Sequence, residues 1–335
     1  MKLNLSQIRG ITTGAARVTE ENGAIDFYRF TKEQELLYKK RNLDFYKRTF
    51  ASSGVKLHFK TDSKTLFIKI LTEPGSSRRY FSLDVFVNGR MLGALDNFSN
   101  VALPRCYSGV SLPLGEFSGS FSLGKGEKKI CIYLPWSVRT EIKELTLDDG
   151  SFIKPIRPIA KLLCFGDSIT QGYDALRPSQ KYTTLLAEHL NAEEFNKGIG
   201  SEEFFEELAA PKEDFNPDII TVAYGTNDWN RGSREGFDRN CAGFFRNLCF
   251  NYPNAKIFAV TPIWRSNFEE SRPFGSFFEV EERIKSLVAD FKNVRVISGF
   301  ELVPHNEEFF GDLKLHPNAD GFYRYFSRLC EEAGI

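Results

Sequence analysis

Lys161-Leu162-Leu163-Cys164-Phe165-Gly166-Asp167-Ser168-Ile169 reads as a short apolar strand that stops abruptly at a glycine-containing turn and presents a serine. The run is apolar without alternation, as a strand buried on both faces requires. Downstream of it, helices and strands take turns. A helix starts at Ser179-Gln180-Lys181-Tyr182 with Tyr182, Leu185, Leu186 and Leu190 on one face. A second strand is predicted at about Glu194 to Lys197, and a third over Asp218–Tyr224. A helix with Phe237, Cys241, Phe244, Phe245 and Leu248 on one face leads to a fourth strand, Ala255–Thr261. Another helix (Phe277, Ile284, Leu287, Val288, Phe291), a fifth strand (Asn293–Ser298) and a last helix (Phe322, Tyr323, Phe326, Leu329, Cys330) complete the chain. Apolar strands alternating with amphipathic helices predict a doubly wound, parallel five-stranded α/β sheet, flavodoxin-like in order, 2-1-3-4-5. In such a sheet ligands bind beyond the carboxyl ends of the strands. Ser168 ends strand one, Gly198-Ile199-Gly200-Ser201 ends strand two and Asn227 ends strand three, so all three converge on one crevice.

Upstream the pattern changes. Val55–Phe59, Thr65–Ile70, Tyr80–Val87, Phe117–Leu123, Lys129–Leu134 and Ile142–Leu147 are short strands separated by polar or glycine-rich turns. Asn88-Gly89 is a type I′ hairpin signal. With no helical periodicity before residue 150, this half is expected to be a β-sandwich or jelly roll. Asp149-Gly150-Ser151 and Pro155-Ile156-Arg157-Pro158 read as turn and stiff linker, dividing an accessory domain (1–155) from a second domain (156–335). Gly124-Lys125-Gly126 lacks the glycine spacing and following helix of a phosphate loop.

A net charge of zero draws the chain neither to nucleic acid nor to an anionic membrane. No run approaches the roughly 18 apolar residues of a spanning helix. Met1–Arg9 lacks the apolar core of a secretory signal. The six cysteines form no Cys-x-x-Cys pair and several sit in apolar patterns, which suggests reduced thiols in a cytoplasmic protein. No clustered His or paired carboxylates at zinc spacing are visible, so neither a metal nor a cofactor is expected; oligomeric state is left open.

Gly166-Asp167-Ser168, Gly198-Ile199-Gly200, Gly225-Thr226-Asn227-Asp228 and His316-Pro317-Asn318 resemble, in order and placement, the four blocks of the SGNH (GDSL-type) hydrolases. The resemblance spans about residues 160–330, and the two-domain layout is similar to family 2 carbohydrate esterases. It implies ester hydrolysis. Ser168 is then the candidate nucleophile and His316 its base and later acid. The oxyanion donors are the Ser168 N–H, an N–H at Gly200 or Ser201, and the Asn227 amide. Asp167 and Asp228 are expected to brace their turns. His305 is a rival base, while His58 and His189 read as structural.

Two positions depart from the family pattern. The Asp usually found three residues before the His is Leu313 here, with Asp312 one residue earlier. A one-residue bulge would deliver Asp312 to His316; alternatively a backbone carbonyl orients the ring and the site is a Ser–His dyad. Ser201 stands where a second glycine is common. Trp229 and Trp264 map to the crevice side, as walls for sugar rings or acyl chains, and Trp136 to the domain junction. The absence of Gly-x-Ser-x-Gly argues against an α/β-hydrolase fold. The expected activity is removal of short acyl groups, acetyl foremost, from a small-molecule or oligosaccharide ester. The alternatives are a lipase, lysophospholipase or thioesterase, and a catalytically inactive carbohydrate-binding protein.

Overall fold

The computed structural model describes residues 1–335. Five parallel strands, Ala160–Gly166, Ala192–Gly198, Ile219–Ala223, Lys256–Val260 and Val294–Ile297, form the C-terminal sheet. Their spatial order is second, first, third, fourth, fifth. Leu162, Leu163, Cys164 and Phe165 are all buried, because helices cover both faces. One cover is the helix Arg234–Asn251, whose Phe237, Cys241, Phe244, Phe245 and Leu248 join Leu163, Phe165 and Ile220 in one core. The other is formed by Tyr182–His189 and Ala319–Ala333 over Leu162, Cys164 and Val260. In the last helix Tyr323 is exposed and Tyr325 takes the buried place beside Tyr182, at 4.2 Å between ring centroids.

The N-terminal half is two mostly antiparallel sheets. One orders Thr12–Thr13, Lys56–Thr61, Lys128–Tyr133, Ser82–Val87 and Arg90–Asp96, with Lys154–Pro155 added beside Lys56–Thr61. The other orders Arg17–Glu21, Ala24–Tyr28, Val138–Leu147, Thr65–Pro74 and Glu116–Ser122. Inward residues of both, such as Leu57, Phe59, Ile68, Ile70, Val85, Ile132 and Leu145, share one core, which is the packing of a sandwich. Asn88 and Gly89 both take positive φ (50° and 79°), as a two-residue type I′ loop demands.

This half is not free of helices, which corrects the reading of its first 50 residues. Leu5–Ile11, Lys32–Arg41 and Leu43–Arg48 are helical. Lys32–Arg41 carries too many charges to show an apolar stripe. It is held instead by the Thr31–Gln34 capping box and by Tyr38, which is wholly buried against the C-terminal core. The hairpin Arg17–Glu21/Ala24–Tyr28 is a further strand pair beyond those expected, although Asn22-Gly23 marks its turn. The two halves meet through buried polar contacts: Lys181 Nζ lies 2.8 Å from Glu194 Oε1 and 3.0 Å from Ser53 Oγ. Trp136 packs with Tyr80, Phe98, Tyr107 and Tyr173 at the junction and donates to Ala175 O at 2.6 Å. All six cysteines are free, and Cys106 is exposed. No helix is long and apolar enough to cross a membrane.

Candidate active site

The strand Ala160–Gly166 runs straight into a four-residue helix, Ser168–Gln171. The turn between them admits only glycine at 166. A Cβ there would stand 2.1 Å from Thr170 Oγ1 and 2.8 Å from Ala223 O. Asp167 caps the helix, its Oδ1 accepting from Ile169 N at 2.9 Å. Burial pushes its carboxyl up to about 6, against the opposing pull of that hydrogen bond and of His316. Ser168 is therefore the first helical residue, and its N–H is one of the donors a helix N-terminus leaves unpaired.

Ser168 Oγ lies 2.8 Å from His316 Nε2, and His316 Nδ1 lies 2.6 Å from Asp312 Oδ2. A carboxylate only accepts, so Nδ1 carries the proton and Nε2 is left to accept from the serine hydroxyl. The other oxygen of Asp312 accepts from the N–H groups of Lys314 (2.9 Å), Leu315 (2.7 Å) and His316 (3.0 Å). These bonds and the imidazole outweigh desolvation and hold the Asp312 carboxyl well below the usual carboxylate range. Leu313 takes φ +59°, a left-handed turn that absorbs the extra residue between carboxylate and ring.

The structure brings Ser201 and Asn227 to the same crevice and separates Gly200 from the donor role. The Gly200 N–H is already given to Gln171 Oε1 at 2.8 Å. Ser201 adopts φ +68°, the conformation for which glycine is the usual residue. Asn227 Nδ2 spends one hydrogen on Glu202 O at 2.9 Å and reaches Asp167 Oδ2 at only 3.5 Å. Asp228 accepts from Phe204 N at 3.1 Å, tying the loop after strand two to the helix Thr226–Arg231.

Both tryptophans are corrected to interior roles. Trp229 is wholly buried, donates to Gly275 O at 3.1 Å and meets the Phe277 ring edge-on. It lies two residues beyond Asn227 on a helix, so it points about 200° around the axis from it. Trp264 is buried between the rings of His305 (5.8 Å, 12°) and Phe310 (5.2 Å). His305, the rival base, is held there by Phe300 O at 3.0 Å and makes no contact with Ser168.

Five neighbours carried no motif. Asp174, wholly buried and at φ +66°, accepts from Arg78 Nε (2.6 Å), Arg78 Nη2 (3.1 Å) and Tyr80 OH (2.6 Å). Arg78 and Tyr80 belong to the sandwich, so that half reaches the catalytic corner. Tyr173 lies against the His316 ring at 5.4 Å and under the Arg78 guanidinium at 4.9 Å. Ligand atoms of Asp174, Asp312 and His316 fall within 4.8 Å of one another, a spacing a cation could use. The Arg78 guanidinium already supplies the positive charge at that corner. Arg265 braces the far side, donating to Thr226 O and Oγ1 at 3.2 and 3.0 Å.

A hydroxyl, an imidazole and a carboxylate in series, with donors converging beside the hydroxyl, are the parts of acyl transfer. Residues 164–324, a span that takes in Ser168, Asn227, Asp312 and His316, match the GDSL-like Lipase/Acylhydrolase family. Among solved structures, a putative GDSL-like lipase from Bacteroides ovatus aligns with a TM-score of 0.76 at 18% identity, covering 99% of this chain and 96% of that one. The Salicylyl-Acyltransferase SsfX3 from a tetracycline biosynthetic pathway aligns at 0.77 and 20%, covering 96% and 93%. A family two carbohydrate esterase from Cellvibrio japonicus aligns at 0.65 and 16%, covering 100% and 98%, so the likeness runs through both halves of this chain. At these identities the likeness is one of fold. No curated protein matches the sequence.

Proposed function

We propose, from the premise that residues 164–324 form a GDSL-like acylhydrolase segment and that the chain is a carboxylic ester hydrolase, that it removes short acyl groups, acetyl foremost, from a carbohydrate through an acyl-enzyme on Ser168. The observation that carries this reading is the chain Ser168 Oγ–His316 Nε2 (2.8 Å) and His316 Nδ1–Asp312 Oδ2 (2.6 Å). Ser168 Oγ attacks the ester carbonyl while His316 Nε2 takes its proton. The carbonyl oxygen gains charge beside the N–H groups of Ser168 and Ser201 and the second hydrogen of the Asn227 amide, which Asp167 Oδ2 holds at only 3.5 Å. His316 gives the proton to the departing alcohol. Water then repeats the sequence on the acyl-enzyme, and the acid leaves.

Two features favour a short acyl group on a polar alcohol. Ser168 is only 4% exposed, which favours a small acyl group able to reach it. The surroundings are polar: the half-buried Arg78 paired with Asp174, and the more exposed Arg231 paired with Glu203. Hydroxylated alcohols suit such surroundings better than lipid chains. Asp312 Oδ2 at 2.6 Å from His316 Nδ1 supports a working site over a vestigial one. The acyl-enzyme can also give its acyl group to an alcohol in place of water; the structural relative SsfX3 is named a salicylyl-acyltransferase.

The test is acetate release from a panel of acetylated mono- and oligosaccharides, alongside p-nitrophenyl esters of increasing chain length. Rates are expected to fall as the acyl chain lengthens and to vanish in Ser168→Ala. Activity retained in that variant, or a preference for long chains, overturns the proposal. Adding an acceptor alcohol and analysing the products separates hydrolysis from transfer.

A further inference from the structure

Three arginines of the N-terminal half converge on the loop that carries Ser201. The strand Ala192–Gly198 is an edge of the parallel sheet, so its outward carbonyls have no neighbouring strand. The Asn196 and Gly198 carbonyls lie on that open side, where they meet the N-terminal half. Arg29 Nη1 donates to Asn196 O at 2.7 Å and to Gly198 O at 3.1 Å. Arg48 Nη1 donates to Gly200 O. Arg41 pairs with the wholly buried carboxylate of Glu202, the residue whose carbonyl accepts from Asn227. Arg29 and Arg41 are set by the strand Ala24–Tyr28 and the helix Lys32–Arg41, and Arg48 by the helix Leu43–Arg48. None lies within the matched segment 164–324.

The Gly200 carbonyl and the Ser201 N–H belong to one peptide unit. A cation on the carbonyl oxygen draws electron density through the peptide and makes its N–H a stronger donor. It also holds the peptide plane against the strained φ of +68° at Ser201. Resting on the function proposed above, we infer that Arg48 is a positioning residue that orients and polarises the Gly200–Ser201 peptide, so that the Ser201 N–H serves the oxyanion, with Arg29 and Arg41 anchoring the loop on either side. The helical excursion Lys32–Arg48 is thus part of the catalytic apparatus rather than an appendage of the sandwich.

The experiment uses the full chain and three variants, Arg48→Met, Arg48→Lys and Arg157→Met. Arg157 donates to Thr12 O and Gly10 O, away from the site, and controls for loss of a surface arginine. With a p-nitrophenyl acetate substrate, Arg48→Met is expected to lower kcat about 10- to 30-fold, short of the about 10²–10³ that losing a whole donor costs, with KM little changed. Affinity for an alkylboronic acid, which forms a tetrahedral adduct on the serine, falls by a similar factor. Arg48→Lys recovers part of both, and Arg157→Met leaves both intact. A general loss of stability would not move kcat and boronate affinity together while sparing KM. Unchanged kcat in Arg48→Met, or a fall in kcat without a fall in boronate affinity, overturns the inference and leaves the esterase reading standing. Activity that survives Ser168→Ala overturns that reading instead.

Discussion

Asp312 Oδ2 stands 2.6 Å from His316 Nδ1 across a turn in which Leu313 takes a left-handed φ of 59°. The carboxylate arrives one residue early in sequence and reaches the ring because the backbone reverses at Leu313. Its second oxygen is occupied by three backbone N–H groups, so the turn and the ring are fixed by one side chain.

Asp312→Asn keeps the shape of that turn but loses the charge that fixes the imidazole tautomer. The variant is expected to lose on the order of 10⁴-fold in kcat, as such a change does in a Ser-His-Asp enzyme. Steady-state kinetics on a short-chain ester checks this. An undiminished kcat would mean that the site works as a Ser–His dyad.

On the proposed mechanism, Asn227→Ala removes one of three donors to the developing oxyanion. A fall of about 10²–10³ in kcat is expected, with KM nearly constant, because the lost bond forms mainly in the transition state. A rise in KM at constant kcat would assign Asn227 to ground-state binding instead.

Arg78 and Asp174 form a forked pair with side chains only 12% and 0% exposed. Arg78→Met leaves a buried carboxylate beside Tyr80 and His316, and is expected to cost about 3–5 kcal/mol in stability. The double variant Arg78→Met/Asp174→Asn should regain most of it, since no unpaired charge remains. Chemical denaturation of the four proteins measures the coupling; additive losses would show that the two residues do not act as a pair.

Burial holds the Asp228 carboxyl up at about 8, and its Oδ2 has no partner. An unfolded aspartate titrates near about 3.9. The folded chain therefore keeps a proton that the unfolded chain releases between about pH 4 and 8, and stability falls as pH rises through that window. Asp228→Asn, which mimics the protonated form, should flatten the decline in melting temperature between about pH 5 and 8, values chosen within that window. An identical decline in the variant would place its origin elsewhere.

Much of the C-terminal half could be read because its signals are local. Apolar runs such as Leu162–Phe165 and the Phe237/Cys241/Phe244/Phe245/Leu248 stripe state their own burial, and Ser168, Asn227 and His316 sit at strand ends or in a short motif. Other parts depend on contacts between segments distant in sequence. Lys32–Arg41 has no apolar face to display, since its anchors are a cap and one buried tyrosine. Arg78, Asp174 and Arg48 look like ordinary surface charges until folding sets them beside His316 and Gly200. Trp229 and Trp264 lie in the right segments, but the helix turn and the His305 ring direct them inward. Residue type leaves the backbone donor open between Gly200 and Ser201, because only the fold shows that Gln171 takes the Gly200 N–H and that the left-handed residue is Ser201.

On the proposed mechanism Ser168 is nucleophilic only because His316 Nε2, 2.8 Å away, takes its proton. Treating the protein with p-nitrophenyl diethyl phosphate and mapping the adduct by peptide mass spectrometry tests this most directly. One diethylphosphoryl group on Ser168, formed in step with loss of esterase activity and absent from His316→Ala, is the predicted result. Complete inactivation with Ser168 unmodified, or equal labelling of Ser168 in the His316→Ala protein, would contradict it.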